Sequence, residues 1–163
     1  MEIYLLRHGA AERSSPGGRD ADRKLTHEGI AAITSVIQQA LHAGMNPSLI
    51  LSSPYTRTME TARIAATLLA YREDILACSA LTPESNPQDS WSEIRVFDDR
   101  PSILAVMHEP LITALACQLL GTEPASIEFK PSTIMRIDIE SAAVRPRGVR
   151  RWTIVPDRVP DGA

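Results

Sequence analysis

What most constrains this chain is an alternation repeated along it. A short apolar run, too brief for a helix, is followed by a longer segment whose apolar residues recur at helical spacing. Met1 to Leu6, Ser48 to Ser52, Ile75 to Ala80 and Ser102 to Met107 are the short runs, and they read as buried strands. Between the first two, Ile30, Ile33, Ile37 and Leu41 recur at helical spacing from a Thr26 cap to a terminating Gly44. After the second, Ser53 caps a helix with Pro54 in its first position, and Ala62, Ala65, Ala66 and Leu69 form the inward stripe. Leu81 to Pro87 reads as a loop. Ser90 to Asp98 then carries Trp91, Ile94 and Phe97 with charges between them, the pattern of an amphipathic surface helix. Leu111, Leu115 and Leu119 stripe a last helix that Gly121 closes. Strands alternating with helices predict an α/β protein, a three-layer α/β/α sandwich around a mostly parallel sheet.

The C-terminal quarter breaks the pattern. Ile134 to Glu140 alternates strictly, with Met135, Ile137 and Ile139 on one face and Arg136, Asp138 and Glu140 on the other. Arg151 to Val155 pairs with it across an Arg/Pro/Gly turn, which gives the mixed sheet an antiparallel edge. Residues 1–156 read as a single domain, and Asp157 to Ala163 as a loose tail. The 44% hydrophobic and 23% charged composition is that of a soluble globular protein. A net charge of −3 argues against a general nucleic-acid binder. No apolar stretch approaches the ~20 residues that span a bilayer, and no leader pattern opens the chain. A soluble, cytoplasmic monomer without membrane or nucleic-acid partners is expected. Cys78 and Cys117 read as buried free thiols. Arg145, Arg147, Arg150 and Arg151 form a basic cluster, read as a solvated hairpin rather than a docking patch.

Three of the short runs end in chemistry. Arg7, His8 and Gly9 follow the first, at its C-terminal end, where open α/β sheets bind ligands. Gly9 reads as clearing a path for substrate to the backbone. Arg57 stands in the first turn of the helix that follows the second run. Free N–H groups and the helix dipole favour an anion there, and a guanidinium fork matches phosphate oxygens. His108 follows the fourth run, Ser102 to Met107. Together Arg7, Arg57 and His108 supply the charge that a transferring phosphoryl group requires, without a metal or cofactor. His8, as a neutral imidazole, can attack phosphorus and carry it as a phosphohistidine. His27 and His42 lie on the first helix and receive no catalytic role. The polar loop Ala10 to Lys24 lies beside the site, as a substrate contact or a merely solvated loop. A metal hydrolase built on His8 and His108 finds no supporting His-x-x-x-His or Asp-rich spacing.

Leu6-Arg7-His8-Gly9, Ser53-Pro54-Tyr55-Thr56-Arg57-Thr58-Met59-Glu60-Thr61-Ala62, Val106-Met107-His108-Glu109-Pro110 and Leu25-Thr26-His27-Glu28-Gly29 occur in one chain. This set resembles the blocks of the histidine phosphatase superfamily, the phosphoglycerate mutase-like fold. The compact chain, without a long insertion between the second and third blocks, is similar to its SixA-like phosphohistidine phosphatases. The resemblance implies His8 as nucleophile and Arg7, Arg57, His108 and Gly9 around the phosphoryl group, with no required metal. It implies as substrate a phosphohistidine on a phosphotransfer domain or phosphocarrier. Thr58 and Glu60 replace the usual Ala and Gln, and Glu109 stands where Asn is common. Larger relatives place a catalytic acid after the third strand, which makes Glu84 a candidate general acid. An easily expelled imidazole needs no firm acid, so a site without one suits P–N cleavage. A small-molecule phosphomonoesterase and a non-catalytic phosphate-binding module are the alternatives.

Overall fold

In a computed structural model that describes residues 1–157, the apolar runs assemble side by side into one sheet. Its strands are β1 (Glu2–Arg7), β2 (Leu49–Ser52), β3 (Leu76–Ala77), β4 (Ser102–Met107), β5 (Ile134–Ser141) and β6 (Arg147–Ile154). The order across the sheet is β3-β2-β4-β1-β5-β6. The β1, β2, β3 and β4 strands run parallel, while β5 is antiparallel to β1 and β6 to β5. The expected mixed sheet with an antiparallel edge is therefore present.

Four helices cover the two faces: α1 (His27–His42), α2 (Thr56–Leu68), α3 (Pro87–Ile94) and α4 (Leu111–Leu120). The pleat of β1 decides which core each side chain joins. Tyr4 and Leu6 pack with Ile33, Val36 and Ile37 of α1 and Ala62 and Ala65 of α2. Ile3 and Leu5 pack on the other side with Trp91 and Ile94 of α3 and Leu111, Ile112 and Leu115 of α4. Both faces of β1 and β4 are thus sealed by helices. That is why these strands are continuous apolar runs, whereas β5 shows alternation.

Several local expectations shift. On α1 the buried stripe is Ile33, Val36, Ile37 and Ala40, while Ile30 and Leu41 are exposed. The seam of one helix on one sheet is narrower than the sequence pattern. Thr26 does cap α1, accepting a hydrogen bond from Gly29 N. Ser53 does not cap α2. The helix begins at Thr56 with Tyr55 at its N-cap, so Ser53 and Pro54 lie in the approach to it. The third strand shrinks to Leu76–Ala77, and Ser79–Leu81 is a 3-10 turn. The third helix starts earlier than the apolar spacing indicates, at Pro87, because Asn86 caps it through Asp89 N. It ends at Ile94 and passes into a 3-10 turn at Arg95–Phe97. The last strand starts at Arg147 rather than Arg151, so three members of the arginine cluster are strand residues and Arg151 pairs with Asp138 at 2.7 Å. Cys117 is buried, but Cys78 is only half-buried. Of the expected tail, all but Asp157 lies outside the described residues.

Two glycines set the approach of α1 to the end of β1. A Cβ on Gly29 would fall 2.2 Å from Ala10 O, and one on Gly9 would fall 2.9 Å from Gly29 O. Gly29→Ala is expected to cost about 1–3 kcal/mol or more, as overpacking against backbone does. Urea unfolding would check this; an unchanged midpoint would mean that the Ala10 segment yields freely.

Candidate active site

Sheet register brings the predicted residues together. Arg7 pairs with Met107 across β1 and β4, and Ser52 pairs with Val106 across β2 and β4. The residues that follow, His8, His108 and Ser53, therefore emerge side by side at the C-terminal ends of three adjacent parallel strands. His8 N donates to Met107 O at 3.2 Å and Ser53 N to Val106 O at 3.0 Å, which extends the ladder into the site. The His8 and His108 ring centroids are 5.1 Å apart, close to the spacing of adjacent strands. The Arg57 side chain is only 4% exposed and reaches in from the first turn of α2.

His8 is held in one orientation. Its Nδ1 lies 2.7 Å from Gly9 O. A carbonyl only accepts, so Nδ1 carries the proton and Nε2 keeps its lone pair. That Nε2 faces Arg57 Nε at 3.4 Å. Burial, together with the nearby guanidiniums of Arg57 and Arg7, pushes the imidazole down to about 4, while the Gly9 carbonyl opposes this. The ring is thus neutral at ordinary pH, as a nucleophile must be.

Gly9 does more for packing than for access. The space that its missing Cβ leaves is taken by Gly29 O and Ile33 Cγ1, and its N–H donates to Thr61 Oγ1 at 3.3 Å. The expected path for substrate past a bare Cα is filled by α1. Gly9 instead brings its carbonyl to His8.

His108 Nε2 lies 2.8 Å from Ser53 Oγ. Ser53 Oγ also accepts from Tyr55 N at 3.4 Å, which leaves its own hydroxyl proton free to donate to Nε2. Nδ1 then holds the proton as a donor. Burial, His8 and Arg57 push His108 down to about 2, with Asp20 opposing. Among the described residues His108 Nδ1 is buried without a partner, and so is Arg7 Nε. Arg7 is otherwise fixed by donation from Nη1 to Phe129 O at 2.7 Å. Buried donors are normally satisfied. Two without a partner, beside the Arg57 guanidinium, fit an oxyanion.

The carboxylates around the site are each engaged. Glu84, the candidate acid, is exposed and accepts from Tyr55 Oη at 3.0 and 3.2 Å. It stands one residue away from the imidazoles. The Tyr55 ring lies 5.0 Å from the His108 ring, with the Arg57 guanidinium carbon 5.0 Å above it. Glu109 Oε1 accepts from Thr113 Oγ1 at 2.7 Å, and its charge opposes the burial that lowers the proton affinity of Arg7. Asp20, from the polar loop, accepts from Arg57 Nη2 at 3.1 Å.

The unusual residues of the second block have local uses. Glu60 Oε2 accepts from Leu25 N at 2.8 Å, and Thr58 Oγ1 donates to Ser53 O and Tyr55 O. Asp20, Ser53 and Tyr55 are the site residues that sequence reasoning missed. Ser53 reads as a cap and Tyr55 as a helix residue, while Asp20 is one charge among many in its loop.

The two imidazoles set an acid boundary. Both take up protons in the unfolded chain near 6.5 and resist them in the folded one. More protons are then bound unfolded than folded below pH 6.5, so stability falls as pH drops from 6.5 toward 4. The expected slope is roughly 1.4 kcal/mol per pH unit for each ring inside its window. Urea unfolding across that range would measure it, and a flat profile would count against neutral, buried rings.

A doubly covered, mostly parallel sheet carries a cluster of imidazoles and guanidiniums, suited to an oxyanion, at its strand ends. Comparisons with known proteins agree. Residues 3–77 match the model of the histidine phosphatase superfamily, branch 1, and the chain has a SixA-like, phosphoglycerate mutase-like fold. The structure is similar to that of the protein histidine phosphatase SixA complexed with tungstate, with a TM-score of 0.86 and 22% identity over 96% of this chain and 97% of that one. A SixA-designated protein from Agrobacterium tumefaciens gives a TM-score of 0.81 at 26% identity, over 96% of this chain and 98% of that one. A mycobacterial glucosyl-3-phosphoglycerate phosphatase shares the fold at a TM-score of 0.70 and 14% identity, over 92% of this chain and 96% of that one. An uncharacterized protein of Picosynechococcus sp. is 38% identical over 66 residues, a match spanning 40% of this chain and 40% of that relative's length.

Proposed function

We propose that this protein is a phosphatase that hydrolyses phosphohistidine on a signalling or phosphotransfer protein, through a covalent intermediate on His8. His8 Nε2 attacks phosphorus in line as the bond from phosphorus to the substrate imidazole breaks, and the departing ring keeps or takes up a proton. Water then attacks the phosphorus of phospho-His8. Inorganic phosphate leaves and His8 is regenerated. Arg7, Arg57 and His108 hold the phosphoryl oxygens, with their donors fixed before the reaction begins.

The observation that supports the P–N assignment is that Asp20, Glu84 and Glu109 each accept a hydrogen bond from a neighbouring side chain. Asp20 is held by Arg57, Glu84 by Tyr55 and Glu109 by Thr113. An alkoxide leaving group benefits from a ready general acid, whereas an imidazole brings its own proton. The relatives named for phosphohistidine support the same reading. So does the broad structural agreement with a protein histidine phosphatase that accepts tungstate, a phosphate-like oxyanion.

A second reading, a small-molecule phosphomonoesterase, draws on Glu84. It lies at the rim, on the hydroxyl of a tyrosine that touches His108. Phosphate release from a phosphohistidine-bearing phosphotransfer domain and from a set of sugar phosphates, measured in parallel, separates the two. Fast release from the phosphoprotein with slow ester turnover supports the proposal. The reverse, with ester turnover abolished by Glu84→Gln, supports the phosphomonoesterase.

A further inference from the structure

Arg57 is a buried cation of the cage, and contacts from outside its own helix hold its guanidinium. Its guanidinium has two usable forks, and the loop before α1 occupies one of them. Arg57 Nη1 donates to Asp20 O at 2.8 Å and Nη2 donates to Asp20 Oδ2 at 3.1 Å. The remaining nitrogen, Nε, is the one that faces His8 Nε2. The Arg57 side chain is 4% exposed and that of Asp20 57%, so a mostly solvated acid grips the outer end of a buried cation. Asp20 is itself fixed. Arg23 Nε donates to Asp20 Oδ1 at 2.8 Å, and Arg23 Nη1 donates to Glu12 O at 2.8 Å. Ser15 Oγ donates to Arg19 O at 2.7 Å and Gly18 N to Ser15 O at 3.0 Å, so the loop that carries Asp20 has internal structure.

We propose that Asp20 is the positioning residue for Arg57: it holds the outer edge of the guanidinium so that Nε and the free N–H of Nη2 are presented to the phosphoryl group beside His8. The role rests on the oxyanion-site reading above and concerns the same cage. A guanidinium left to rotate would offer its two forks to solvent and site in turn, and preorganised donors are worth more than mobile ones. Arg23 completes a relay in which the loop, though polar and outside every regular element but its short 3-10 turn at Asp20–Asp22, fixes a cation of the site.

The sign of one measurement separates this role from plain electrostatics. Removing an acid beside an anion site should tighten oxyanion binding if charge alone matters. Loss of a positioning contact should weaken it. Tungstate affinity, by calorimetry, would be compared for wild type, Asp20→Ala and Asp20→Asn. Alanine removes the side-chain acceptor of Nη2 and leaves Asp20 O on Nη1, while asparagine keeps an acceptor oxygen for Nη2 and loses only the charge. Asp20→Ala is expected to bind tungstate about tenfold more weakly, a typical loss for a hydrogen bond to a charged group. Asp20→Asn should stay within about threefold of wild type or bind more tightly. Adding Asp20→Ala to Arg57→Ala should cost nothing further, since the two act as a unit.

Tighter or unchanged binding by Asp20→Ala overturns the proposal, as do additive losses in the double variant. Should alanine unfold the loop, Asp20→Ser, too short to span to Nη2, is expected to show the same loss. The expected order of affinities in a protein that releases no phosphate would retain Asp20's role and discard the phosphatase reading. Wild type that binds no tungstate would overturn both.

Discussion

Replacing His8 with alanine is expected to end phosphate release, lowering kcat by roughly four orders of magnitude or more, while tungstate still binds. The two outcomes follow from different atoms. Turnover requires the His8 Nε2 lone pair, which the Nδ1 contact with Gly9 O keeps unprotonated and which Arg57 Nε faces as a donor at 3.4 Å. Oxyanion binding draws on Arg7, Arg57 and His108, and none of them depends on His8 for its main anchor. Arg7 is tied to Phe129 O, Arg57 to Asp20 and His108 to Ser53. Turnover measured under single-turnover conditions, with calorimetry on the same preparation, would test both. Substantial residual turnover would require another nucleophile, such as water attacking directly.

The second large effect is at Arg57. Arg57→Ala should lower kcat/KM by roughly 10²–10³-fold, the usual loss when one preorganised donor to developing charge is removed. Arg57→Lys should recover little of it. An ammonium cannot both reach Asp20 and present a planar fork toward His8. Thermal stability should change modestly, because the acid left behind is half in solvent and keeps its contact with Arg23. Steady-state kinetics with a melting curve on each variant would check this. A lysine variant near wild type would mean that Arg57 supplies charge but no geometry.

The depressed proton affinity of His8 also bears on the rate. The acid limb of kcat/KM reports the free enzyme, so while the protein stays folded the rate should hold toward pH 4 before protonation of Nε2 removes the nucleophile. A limb near 6.5 would describe an imidazole in open solvent.

The architecture was legible because its strands announce themselves. Leu104 to Met107 and Ile3 to Leu6 are apolar without alternation since both of their faces are covered, and Ile134 to Glu140 alternates since one face is not. Helix edges were less legible. Ser53 has the composition of a cap, but its hydroxyl is used by His108, and Asn86, some way before the apolar stripe of α3, does the capping there. His8, Arg7, Arg57 and His108 were readable as strand-end and helix-start residues, and register then explains why they converge.

What the chain could not reveal lies in contacts distant in sequence. Asp20 meets Arg57 across 37 positions, and Tyr55 meets Glu84 across 29. Nothing local marks either pair, because a loop acid and a helix-start tyrosine have many bland uses. Gly9 illustrates the opposite hazard. A glycine beside a site looks like room for substrate, yet here the room belongs to α1.

The central claim is covalent transfer from a phosphohistidine to His8. The most direct measurement is a rapid acid-free quench of the enzyme mixed with a ³²P-labelled phosphohistidine phosphotransfer domain, followed by peptide mapping of the labelled enzyme. The account predicts transient label on the peptide containing His8, labile to acid and stable to alkali, that forms and decays at rates consistent with turnover and is absent from His8→Ala. Turnover with no labelled enzyme at any time, or with label on another residue, would contradict it.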